Sequence, residues 1–169
     1  MKKIILYIVS EDWYFLSHRL PLALKAKKEG YEVHVLCKDT GSLKYIIDND
    51  FKCHRLKLNK SSISFINILF EIINIRKIIN KVNPNFIHLV AMRPIILGLC
   101  ASIFMSNKII ISSITGLGSI FLSKKIKIKL LKNFIVFFLY LNFKRRNAVI
   151  IVQNKDDAIF CKKTLKCSK

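Results

Sequence analysis

The chain has 169 residues, 52% of them hydrophobic, and carries 30 Lys and Arg against 10 Asp and Glu, a formal net charge of +20. A mean hydropathy of +0.34 excludes a disordered tail or low-complexity linker, which is poor in Ile, Leu and Phe. The length suits one domain and is too short for two full α/β domains, and 5 Gly with 3 Pro are too few for a turn-rich all-β sandwich.

The charge needs dissecting before it is assigned a partner. Of the basic residues 24 are Lys and 6 are Arg (Arg19, Arg55, Arg76, Arg93, Arg145, Arg146). A chain rich in Lys, Ile and Asn is also what an AT-rich coding sequence yields, with no ligand behind it. Base and phosphate recognition favours Arg forks, so the composition argues against nucleic acid as the partner. The excess is uneven: +5 in residues 1–60, +4 in 61–120 and +11 in 121–169. The five cysteines (Cys37, Cys53, Cys100, Cys161, Cys167) include no C-x-x-C pair and no zinc-ligand spacing. They read as buried or idle thiols in a reducing cytoplasm.

In chain order, Met1-Lys2-Lys3 followed by the apolar run 4–9 imitates a signal peptide. The run ends at Glu11-Asp12 without a small-residue cleavage site, so a first buried strand is expected instead. A helix is predicted over about 19–29, with Pro21 in its first turn and Gly30 at its end. Run 32–37 predicts a second strand, 42–49 a short helix, and Phe51 to Leu58 a third, more polar strand near a sheet edge. Segment 62–82 has polar residues at Asn67, Glu71, Asn74, Lys77 and Lys81. That spacing predicts a helix with a wide apolar stripe against a sheet and a polar outer face. Asn83-Pro84 stops it. Strands are then expected at 85–90 and 108–114 around a helix at 94–105. A turn at 115–118, a helix over 122–145, a strand at 148–152 and a last helix from about Lys155 complete the series.

Alternating strands and helices predict an α/β fold: a doubly wound, Rossmann-like parallel sheet of about six strands, with helices on both faces. Ligands in such folds sit at the carboxyl ends of the strands, near the reversal of strand order. Residues 10–12, 18–19, 38–41, 92–93, 115–118 and 153–154 should therefore line one edge. His18 and Arg19, expected at a helix start, suit a phosphate or sugar hydroxyl. A helix cap and a surface ion pair fit them equally. Thr115-Gly116-Leu117-Gly118 after a strand suits either an anion cradle or a tight turn. Arg93-Pro94 leaves a cation at the mouth of a helix. His88, inside an apolar strand, is expected to be a core histidine, with catalysis the alternative role.

Segment 122–146 sets Lys125, Lys129 and Lys132 beside an apolar, aromatic run that includes Phe137 and Phe138, closed by Lys144, Arg145 and Arg146. The run is too short to span a bilayer. A helix lying in an anionic membrane surface fits it, as does a core helix.

Val9-Ser10-Glu11-Asp12-Trp13-Tyr14-Phe15-Leu16-Ser17-His18-Arg19-Leu20-Pro21-Leu22-Ala23 resembles the opening of bacterial family-4 glycosyltransferases of surface-polysaccharide and lipid-linked oligosaccharide synthesis. Phe86-Ile87-His88, Arg93-Pro94 and Ile114 through Phe121 resemble later landmarks of that family, in order, and Val152 through Phe160 is similar to its closing strand-helix motif. Arg93 stands where relatives often carry Lys. The resemblance implies the N-terminal, acceptor-side half of a GT-B fold over residues 1–169, with retaining transfer that uses no metal and no cofactor. Residues His18, Arg19, Arg93, Thr115, Gly116 and Gly118 would bind the acceptor. The implied partners are a polyprenyl-diphosphate-linked glycan, an anionic membrane surface at its cytoplasmic face, and a separately encoded C-terminal glycosyltransferase domain. The sequence stops at Lys169, where the donor-binding domain is expected. The half is therefore expected to be inactive alone, as would be a non-catalytic remnant or a membrane-surface interaction module.

Overall fold

The computed structural model describes residues 2–56, 65–115, 136–137, 139–140 and 147–165. The elements in chain order are β1 (Ile4–Glu11), α1 (Asp12–His18), α2 (Leu20–Lys28), β2 (Glu32–Lys38), α3 (Leu43–Asp48), β3 (Lys52–Arg55), α4 (Phe65–Val82), β4 (Phe86–Val90), α5 (Met92–Ala101), β5 (Ile109–Ile114), β6 (Ala148–Val152) and α6 (Lys155–Leu165). The strands form one sheet in the order β3-β2-β1-β4-β5-β6, and every pairing is parallel. The chain winds outward from β1 to β3, crosses to β4, and winds outward again. The order reverses between β1 and β4.

Side-chain alternation along the strands divides the core in two. Ile5, Tyr7 and Val9 of β1 join Val33, Val35 and Cys37 of β2, and Phe15, Ala23, Leu43 and Ile46 cover them from α1, α2 and α3. On the other face Leu6, Ile8, Leu36, Ile87 and Leu89 meet Ile75 and Ile79 of α4 and Ile95 and Leu99 of α5. Each fully buried Ile or Leu contributes about 1.5–3 kcal/mol, which is why β1 reads as an unbroken apolar run. The expected polar edge strand is β3. Its partner strand holds it through His34 Nδ1 and His54 Nε2, 2.8 Å apart, while Glu32 accepts from His34 and Lys52, each at 2.7 Å. Those two bonds hold the Glu32 carboxyl down to about 2.

Three expectations are corrected. The stretch before Arg19 is helical, so an unpredicted helix, α1, precedes the predicted helix 19–29, which is α2, with an elbow at Arg19. Pro21 explains the break: it has no N–H for the Ser17 carbonyl, and its ring would clash there. The opposite end of α2 stops as expected, with Gly30 at φ 86°. Helix α5 begins at Met92, two residues earlier than predicted, with Pro94 tolerated in its first turn. Finally, the outer face of α4 is inverted over its first half. Glu71 is buried at 2% exposure, whereas Ile66 (63%), Leu69 (49%), Phe70 (60%) and Ile73 (40%) face outward. The 3.6-residue spacing was legible, but an ion pair with α5 turns the polar side of α4 inward.

Candidate functional site

The carboxyl ends of β1 and β4 meet at the reversal of strand order. The pairing of β1 with β2 is irregular there, Ile8 opposing Leu36 and Glu11 opposing Lys38. β4 ends at Ala91, whose φ of 74° and ψ of 160° lie in a region that suits glycine and costs another residue about 1–3 kcal/mol. Its N–H donates to Ser113 O (3.1 Å) and its carbonyl accepts from Ile95 N (3.0 Å). This conformation starts α5 directly off the strand and sets Arg93 at the rim.

Asp12 begins α1 and is fully buried. Its Oδ2 accepts from the Thr40 N–H (2.9 Å) and the Ser42 N–H (2.8 Å). Its Oδ1 accepts from the Trp13 N–H (2.8 Å) and the Thr40 hydroxyl. Burial acts to raise the carboxyl, but these four bonds outweigh it and hold the group below the usual carboxylate range. One side chain thus ties the loop after β2 to the start of α1. The sequence placed residues 10–12 and 38–41 at this edge without indicating the tie.

Next along the rim, Trp13 Nε1 donates to Glu11 Oε2 at 2.5 Å. His18 ends α1 instead of starting a helix. It is exposed, stacks on Tyr14 with centroids 4.4 Å apart, and its Nδ1 lies 2.7 Å from Ser17 Oγ. Arg19 does hold the expected place, as the N-cap residue of α2. Its Nη1 donates to His18 O at 3.0 Å, and its buried Nε has no hydrogen-bond partner among the described residues.

Below this elbow is a polar group the sequence did not reveal. Tyr7 lies fully buried between Phe15 and His88, with ring centroids 5.6 and 5.0 Å away. Its hydroxyl has no hydrogen-bond partner among the described residues. Burial pushes the phenol up to about 12, against a smaller opposing pull from Arg19, so Tyr7 presents a neutral O–H. His88 is 2% exposed, and its Nε2 lies 2.7 Å from Ser113 Oγ. Burial, with a smaller contribution from Arg19, takes its pKa down to about 4. It is a neutral core histidine at pH 7, the first of the two expected roles.

Arg93 is at the rim but committed. Its Nη2 donates to both carboxylate oxygens of Glu71, at 2.7 and 2.9 Å, while its side chain stays 57% exposed. Thr115 follows β5, half-buried. Gly116 and Gly118 lie outside the described residues, as do Lys125, Lys129, Lys132, Phe138, Lys144, Arg145 and Arg146. Of the expected membrane helix, Phe137 is exposed, while Leu139 is buried and Val136 and Tyr140 pack beside it. That turn therefore has a core face. Cys37, Cys53 and Cys100 are free thiols, and burial raises Cys37 to about 12 and Cys53 to about 11. Among the described residues, no cluster of three or more His, Cys, Asp or Glu is placed to hold a metal ion, and no helix is long and apolar enough to cross a membrane.

A six-stranded 3-2-1-4-5-6 sheet, with both crossovers opening on one rim, defines a Rossmann-like domain of the kind that forms one half of a GT-B fold. The chain belongs to the glycosyl transferase 4-like family, whose pattern it matches over residues 4–154. Among curated proteins none matches it in sequence. Among solved structures it is similar to a glycosyltransferase from Rickettsia africae ESF-5 (TM-score 0.69, 16% identity), covering 99% of this chain and 41% of that one. It is also similar to sucrose-phosphate synthase from Thermosynechococcus elongatus (TM-score 0.66, 11% identity, 99% and 47% covered). UDP-GlcNAc 2-epimerase from Methanocaldococcus jannaschii shares the fold (TM-score 0.51, 13% identity, 82% and 37% covered). The chain thus spans less than half the length of each, and the epimerase shows that this fold does not by itself specify transfer.

Proposed function

We propose that this domain is the acceptor-binding half of a retaining glycosyltransferase. It moves a sugar from a nucleotide sugar to a polyprenyl-diphosphate-linked or other glycan acceptor, and a C-terminal glycosyltransferase domain binds the donor. The carrying observation is the family match over residues 4–154, and the reversal of strand order between β1 and β4 supports a site at that edge. Arg19 supplies a cation at the first turn of α2, where a helix end also favours an anion. The Asp12 tie holds the loop after β2 against the start of α1. The decisive experiment incubates the purified chain with nucleotide sugars and a polyprenyl-diphosphate glycan, with and without a C-terminal glycosyltransferase domain. Transfer only when that domain is added supports the reading. Robust transfer by the chain alone overturns the two-part arrangement, and no transfer in either case leaves a non-catalytic module.

We further propose that the domain works at the cytoplasmic face of an anionic membrane. Support comes from the outward face of α4, where Ile66, Leu69, Phe70 and Ile73 are exposed. Residues 61–120 contain one acid, Glu71, and it is buried against Arg93. That surface therefore offers apolar side chains without negative charge, in a chain of net charge +20, which suits anionic headgroups. Co-sedimentation with anionic vesicles, lost with neutral ones and reduced by Phe70→Glu, is the expected result. Equal binding to both vesicle types would refute it.

A further inference from the structure

We infer that the Tyr7 hydroxyl and the Arg19 Nε form a two-donor subsite for a phosphate oxygen beneath the elbow between α1 and α2. Buried polar groups in folded proteins nearly always have partners, yet these two, on adjoining elements, have none among the described residues. His88 Nε2 is engaged by Ser113 and Arg19 Nη1 by the His18 carbonyl, while no side chain caps the first turn of α2. The two groups are also electrostatic neighbours, since the Arg19 charge acts on both Tyr7 and His88. An arginine Nε–H only donates, and a neutral phenol has its O–H to offer. The missing partner is therefore an acceptor, and the adjacent guanidinium selects an anionic one.

That the anion is a phosphate oxygen rests on the acceptor-side reading above, in which a diphosphate accompanies the substrate. Both atoms are covered in this structure. Arg19 is only half-buried, and among the described residues its side chain makes one hydrogen bond, to a neighbouring carbonyl, so rotation of that side chain opens the subsite.

Trp13, the sole tryptophan, lies exposed on α1 and reports binding by fluorescence. The full chain is titrated with inorganic pyrophosphate, farnesyl diphosphate and UDP, with calorimetry alongside. Tyr7→Phe keeps the ring between Phe15 and His88 and should fold with an unchanged or higher Tm, because it removes only an unpartnered hydroxyl. It should weaken diphosphate binding about tenfold, about 1.4 kcal/mol. Arg19→Lys keeps the charge without the Nε–H and should weaken it comparably. Tighter binding of farnesyl diphosphate than of UDP assigns the phosphate to a lipid carrier, and the reverse order assigns it to a nucleotide. Binding by Tyr7→Phe equal to wild type overturns the subsite, as do a lowered Tm in that variant and failure of wild type to bind any of the three. The transfer assay separates the two claims. Transfer with unaltered Tyr7→Phe binding removes the subsite alone, while Tyr7-dependent binding without transfer removes the enzymatic reading alone.

Discussion

Asp12→Asn tests whether the tie between α1 and the loop after β2 holds this edge together. The amide oxygen can still accept two of the four bonds, and turned toward the Thr40 and Ser42 N–H groups it keeps the loop after β2. The amide nitrogen then faces the Trp13 N–H, donor against donor, and the Thr40 hydroxyl must reverse to accept. One bond to a buried N–H is lost and the others lose their charge assistance, for a cost of about 2–3 kcal/mol. In a domain of this size that lowers Tm by about 5–10 °C. The pH dependence gives the sign. The folded pKa of Asp12 is depressed, so its contribution is complete above the unfolded value of about 4 and is lost as pH falls through the folded value. Urea denaturation of wild type and Asp12→Asn from pH 7 to pH 2.5 should give curves that converge in acid. Taking the difference between them cancels the parallel titration of Glu32. Hydrogen exchange at the Thr40 and Ser42 amides should accelerate in the variant. A loss below about 0.5 kcal/mol, or one that persists undiminished at pH 2.5, would refute the reasoning.

Ala91→Gly removes the Cβ from a glycine-like conformation. The relieved strain, about 1–3 kcal/mol, exceeds glycine's entropic cost of about 0.5–1 kcal/mol, so chemical denaturation should show a net gain of about 1 kcal/mol. A net loss would mean that Ala91 is not strained. Gly98→Ala should instead destabilise by about 1–3 kcal/mol, because a Cβ there meets Leu89 Cδ2 at 2.3 Å and Leu89 is itself packed in the core. Unchanged stability would show that Leu89 can yield. His88 should stay neutral until about pH 4. Since an unfolded histidine protonates near 6.5, acidification from 7 to 4 should cost about 3 kcal/mol at this site, and ring-proton NMR showing titration above pH 6 would contradict it.

The sheet was legible because β1, β2, β4 and β5 are buried on both faces and so read as apolar runs, and because doubly wound geometry then places the loops. Arg19 and Arg93 were found at the rim by that rule alone. The helix α1 was not, since Trp13 to Leu16 is a short aromatic run in which Phe15 alone is core, with no polar face to betray a period. Glu71 misled for a different reason. An acid on a helix normally marks the solvent side, and only the three-dimensional meeting of α4 with α5 makes it an internal counter-ion. Tyr7 was invisible because a tyrosine in a buried strand has no signature separating a packed ring from an unpartnered hydroxyl.

The fate of the acids around the rim bears on what this edge can attract. Glu11 accepts from the Trp13 indole, Asp12 is enclosed by four donors, and Asp39 meets the Arg55 guanidinium at 3.3 Å. Glu71 is paired with Arg93. Each negative charge near the switch point is thus committed within the fold, and Arg93 spends most of its own charge in the same way. Arg19 differs: among the described residues no carboxylate lies within ion-pair distance of it. Its charge is compensated only by the carbonyl of His18, at a helix start that adds positive potential of its own. A large net charge spread over exposed lysines is screened within about 8–10 Å at physiological salt, so it attracts without selecting. Selection falls to a half-buried guanidinium without a counter-ion, which makes Arg19, and not the lysine-rich surface, the residue whose replacement should most alter anion affinity.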